Sequence, residues 1–63
     1  MYPKQLYAEF LREHGITPLV ARVMFIIELK KLAPNIGDDF LAARWQQKTD
    51  EEKIEWLRTI NGW

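Results

Sequence analysis

His14 is the one imidazole in the chain, so metal or acid–base chemistry centred on imidazole would have to be built around it. A zinc site needs several thiolate or imidazole ligands. The sequence offers no cysteine and no second histidine. His14 falls in the last turn of an expected helix, where a partial positive charge is favourable against the helix dipole, so its expected role is structural. Carboxylates, the usual partners in general acid–base catalysis, cluster as Asp38-Asp39 and Asp50-Glu51-Glu52. Both clusters lie at expected helix starts, where negative charge complements the dipole. Serine is absent and no glycine-rich phosphate loop is present. The expectation is a protein that is not an enzyme, with no catalytic residues, no cofactor and no metal. It should act by binding.

Charge narrows what could be bound. Nine basic residues balance nine acidic ones across 63 residues, so no global field draws in nucleic acid or anionic lipid. The residues up to Ala33 carry +2 and those from Pro34 onward carry −2, a weak dipole rather than a basic arm. If DNA were the partner, the candidate phosphate contacts would be Lys4, Arg12, Arg22, Arg44, Lys48, Lys53 and Arg58. The first apolar residues are interrupted by Lys4, Glu9, Arg12 and Glu13, unlike a secretory signal. The stretch Val23 to Ile27 is far too short to span a bilayer. With cysteine missing as well, the expected location is the cytoplasm, with no membrane partner.

The elements that would position these groups are helices. Pro3 suits the first turn of one, and Tyr7, Phe10, Leu11 and His14 follow its apolar spacing, with Leu6 widening the stripe. Gly15 ends it as a left-handed residue, letting Ile16 fold back onto Leu11. Thr17-Pro18 restarts the chain as cap and first position of a helix reaching about Leu32. Pro34 disfavours helical geometry in the residue before it. This second helix is apolar on much more than one face, which predicts burial nearly all round. Asp38 or Asp39 begins a short third helix whose expected inner surface is Phe40, Leu41 and Trp45, with Ala42 and Ala43 allowing close approach. Thr49 to Glu52 has the T-x-x-E pattern of a capping box. A fourth helix follows with Ile54, Leu57 and Ile60 on one stripe, Trp56 beside it, and Asn61-Gly62 as its end. Trp45 and Trp56 are expected in the core, because large aromatics bury the most area.

The run from Trp45 through Gln46, Gln47, Lys48, Thr49, Asp50, Glu51, Glu52, Lys53, Ile54 and Glu55 to Trp56 resembles the junction of helices two and three in an HMG box. Pro34-Asn35 is similar to that family's turn between helices one and two, so the resemblance covers residues 34–56, about a third of the chain. It implies a helical corner first, and minor-groove DNA binding second. The segment from Pro34 to Trp45 is shorter than that family's second helix, and its strongly basic face is missing here. Gly15 to Pro18, continuing through Ala21-Arg22-Val23, is similar to the turn and following helix of helix-turn-helix regulators. Size, the lack of cysteine and the start Met1-Tyr2-Pro3-Lys4 also look like the small helical accessory proteins of lambdoid phage early regions. That likeness implies a regulator of host or phage processes.

The expected architecture is all-α, a compact bundle of three to four short helices forming one domain over residues 1–63. Chains this short usually need a staple, and without cysteine or metal ligands the remaining routes are unusually efficient helix packing or a second subunit, of which the second is favoured. A homodimer is therefore expected, through Val20, Met24, Phe25 and Ile27 of the second helix. Trp63 is a further candidate, because a terminal aromatic either folds back on its own domain or packs against another subunit, and Tyr2 poses the same question. The expected function is regulation through contacts with an unidentified protein partner and self-association. A DNA-binding module, with weak and salt-sensitive binding, is the alternative.

Overall fold

The computed structural model describes residues 3–63, with side chains from Leu6 onward; Tyr2 and the Lys4 side chain lie outside the described residues. Among them are four helices and no strand: α1 (Pro3–Glu13), α2 (Pro18–Leu32), α3 (Asp38–Gln47) and α4 (Asp50–Asn61). Their ends follow local chemistry. Gly15 takes φ 68°, its N–H donates to the Arg12 carbonyl at 3.1 Å, and the Ile16 N–H donates to Leu11 at 3.0 Å. That pair of bonds is a Schellman cap, in which only glycine adopts the left-handed angle without steric cost. The Thr17 hydroxyl accepts from the Val20 N–H at 3.2 Å, and Pro18 occupies the first turn of α2.

Thr49 forms a complete capping box. Its hydroxyl accepts from the Glu52 N–H at 3.1 Å, and the Glu52 carboxylate accepts from the Thr49 N–H at 2.8 Å. Two donors that would otherwise lack intrahelical partners are satisfied reciprocally. Thr49→Ala should therefore cost about 1 kcal/mol, read as a lowered midpoint in urea unfolding with an unchanged slope. An unchanged midpoint would mean the box contributes nothing to α4.

Packing pairs α1 with α4 and α2 with α3. The core is Phe10 and Leu11 of α1, Ala21 and Phe25 of α2, Leu41 and Trp45 of α3, and Leu57 of α4. Phe25 lies at its centre, with ring centroids 5.0 Å from Trp45 and 5.2 Å from Trp56. Trp45 and Trp56 meet edge to face at 5.5 Å, which locks the corner between α3 and α4. Lys30, near the end of α2, pairs with Asp38 at the start of α3.

Several expectations about faces are corrected. The nearly all-round burial expected of α2 does not occur, because only Ala21 and Phe25 are fully buried in it. Phe40 was expected on the inner surface of α3, yet it is 57 % exposed. Leu41 and Trp45, four apart, define the buried side of α3, and Phe40 is rotated about 100° from Leu41. Ala43 is exposed for the same reason, and Ala42 is only half-buried. Leu6 and Ile60 stay partly in solvent, at 41 % and 42 % exposure, at the margins of their stripes.

Candidate functional site

α2 carries the largest departure from a closed core. Leu19, Val23 and Ile27, four residues apart, form a row along its outer side, and Val20 lies beside them. All four are exposed, Leu19 at 57 % and Ile27 at 52 %. Residues two apart on a helix point about 160° away from each other, so Ala21 and Phe25 face the core while Val23 and Ile27 face outward. Lys31, held to Glu28 at 3.1 Å, and Lys30 end the apolar row at its C-terminal side.

The sequence-derived interface set divides on this geometry. Val20 and Ile27 lie on the outer face, and Met24 is half-buried at its margin against the core cluster. Phe25 is 5 % exposed and turned into the core, which removes it from the outer face of α2. Trp63 folds back onto its own chain, stacked on His14 with centroids 3.9 Å apart and planes 7° apart. It also meets Phe10 edge to face at 5.9 Å. Leu19 and Val23 were not in the expected set. Their signal was the four-residue spacing to Ile27, opposite the small Ala21 that lets a neighbouring helix approach closely.

A groove of about 510 Å³ opens on the other side of α2, between it, α3 and α4. Phe25, Leu29 and Trp56 line its floor, and Phe40, Arg44 and Lys48 its edge. The Lys48 ammonium lies 5.7 Å from the Phe25 ring centroid. A smaller cavity of about 220 Å³ is bordered by Tyr7, Pro18, Leu19, Arg22, Trp45, Gln46 and Lys53. The candidate phosphate contacts are therefore divided. Arg44 and Lys48 share the groove, Arg22 and Lys53 share the smaller cavity, and Arg58 lies 5.7 Å from the Phe10 ring centroid. Arg12 is exposed on the last turn of α1. Lys4, as a side chain, is outside the described residues.

No group of three or more metal-ligating side chains occurs among the described residues. None of their helices is long and apolar enough to cross a membrane. The acidic clusters sit where the dipole favours them, Asp38-Asp39 in the first turn of α3 and Asp50-Glu51-Glu52 in that of α4. Compared with protein-family models, curated proteins and solved structures, the chain matches none.

Tyr7 is the one buried polar misfit among the described residues, its hydroxyl having no hydrogen-bond partner. Burial pushes its pKa above the usual 10.0, the Asp50 carboxylate adds to the rise, and the Trp45 indole opposes it. The hydroxyl makes no full hydrogen bond, and the nearby Trp45 indole offsets only part of its desolvation, so Tyr7→Phe should raise stability at neutral pH by up to about 1 kcal/mol. The folded state holds the phenol proton more tightly than the unfolded chain does. The stability linked to that proton is thus present below pH 10.0 and lost as pH rises through the folded-state pKa. Thermal unfolding of both proteins from pH 7 to 11 checks this. A phenylalanine variant that is less stable at pH 7 would reveal a partner for the hydroxyl.

Proposed function

We propose that this protein is a small helical regulatory or accessory protein that acts through protein contacts and self-associates through the outer face of α2. The observation that carries the reading is the row Leu19, Val23 and Ile27 with Val20, exposed along one side of a central helix. Fully burying a Val, Leu or Ile side chain contributes about 1.5–3 kcal/mol; these four retain 42–57 % of their exposure, so covering the rest with a partner surface of the same kind recovers about half of that for each. A helix face meeting its own copy across a two-fold axis is the simplest such arrangement. The likeness to lambdoid phage accessory proteins supports a regulatory process as the setting.

Sedimentation equilibrium over micromolar concentrations tests it. The expected mass is near twice the 7.5 kDa of the chain, and it should change little between low and high salt. A monomer throughout that range overturns the self-association. Duplex DNA is the counter-partner. Phosphate binding weakens steeply as salt rises, whereas an apolar interface does not. A salt-resistant complex with a defined DNA site in a mobility-shift assay would replace this reading with the DNA-binding one.

A further inference from the structure

We infer that the groove between α2, α3 and α4 is a second, separate docking site, and that its occupant is an acidic amphipathic segment of a partner protein. The inference rests on the reading that the protein works through protein contacts, and it adds which surface receives the partner and what chemistry that partner carries. Size comes first. At about 510 Å³ the groove falls within the range of about 300–1,000 Å³ typical of ligand sites, enough for one or two bulky side chains. Its floor is aromatic and aliphatic, from Phe25, Leu29 and Trp56. Phe40, 57 % exposed, extends that apolar surface outward along α3.

Charge then selects the partner. Arg44 and Lys48, four residues apart beside Phe40, present two cations at the groove, with the Lys48 ammonium leaning over the Phe25 ring. Neither joins an ion pair among the described residues, where the pairs are Lys30 with Asp38 and Lys31 with Glu28. The one carboxylate at the groove is Glu52, already engaged by the Thr49 N–H in the capping box. Asp38 and Asp39 leave the start of α3 on other sides, since they are rotated by about 100° or more from Phe40. An entering segment therefore meets an apolar floor edged by unpaired positive charge. A helix with two bulky apolar residues three or four positions apart, flanked by Asp or Glu, satisfies both features.

The location gives the groove a consequence for assembly. Phe25 and Leu29 reach it from the side of α2 opposite Val23 and Ile27, so a dimer formed through the outer face leaves both grooves open. Two grooves on one particle can hold a partner carrying two such segments far more tightly than one groove can.

A displayed library of random 16-residue peptides, selected against the full chain, provides the probe. Enriched peptides should carry net negative charge with paired bulky apolar residues. Fluorescence anisotropy of one such peptide should show at least a tenfold loss of affinity for Arg44→Glu/Lys48→Glu. Phe40→Ala, an exposed change that leaves the core intact, should show a similar loss. Val23→Glu should bind the peptide as well as the unmodified protein does, which separates this site from the dimer face. If the unmodified chain proves monomeric, self-association fails while peptide binding is still decided by these variants. The proposal is overturned by no enrichment, by enrichment without acidic bias, by binding that ignores both groove variants, or by duplex DNA displacing the peptide.

Discussion

Val23→Glu is expected to convert a dimer into a stable monomer. Val23 lies midway along the outer row of α2, between Leu19 and Ile27, and is exposed in the single chain. Glutamate there meets water in a monomer, and it propagates a helix at least as well as valine does, so the fold should lose no more than about 0.5 kcal/mol. In a dimer the same change places two carboxylates in an apolar contact across the two-fold axis. Losing the valine burial and desolvating charge should together raise the dissociation constant by about 100-fold or more, roughly 3 kcal/mol. Sedimentation equilibrium should report the single-chain mass, and the thermal midpoint should stop depending on protein concentration. Ile27→Glu should behave alike. Met24→Glu should not, because Met24 is half-buried against the core cluster and a charge there attacks the fold itself. If Val23→Glu remains dimeric, the interface lies elsewhere on the molecule.

The contrast between Met24 and Val23 shows where sequence reasoning reached its limit. Helix ends were legible because their causes are local. Gly15 before Ile16, Thr17 before Pro18, and Thr49 three residues before Glu52 each form their caps with neighbours in sequence. Trp45 was legible as core for a similar reason, as it lies four residues after Leu41 and so on the same face of α3. The orientation of α2 was not. With apolar residues around most of its circumference, periodicity cannot say which side meets α3, and Phe25 was assigned to the open surface although it anchors the aromatic core. Phe40 failed in the opposite sense. Its neighbour Leu41 is equally apolar, and only the approach of α2 decides which of the two turns inward. The groove was illegible because its walls come from three helices separated in sequence, and its cations, Arg44 and Lys48, acquire meaning only beside Trp56 and Phe25.

Leu57→Ala should be among the most damaging changes within the single chain. Leu57 sits on α4, the helix that packs against α1, and has 0 % of its surface exposed. Truncating a buried leucine loses the transfer free energy of the removed carbons and leaves a cavity, together about 3–5 kcal/mol. Folded domains hold only about 0.05–0.15 kcal/mol of stability per residue, so a 63-residue chain has a reserve of the same order as this loss. Most of the variant should therefore be unfolded at low protein concentration, with circular dichroism showing the helical signal reduced even without denaturant. Self-association should partly restore it, since a dimer adds interface free energy that grows with concentration. Ile60→Ala, one turn away but 42 % exposed, serves as the internal comparison and should cost no more than about 1 kcal/mol. Both α4 residues lie on the same nominal apolar stripe, so equal losses would mean that α4 meets α1 along a different line. A Leu57→Ala protein whose urea midpoint falls by the equivalent of less than 1.5 kcal/mol (roughly half the smallest expected cost) would show that the core closes around the missing carbons.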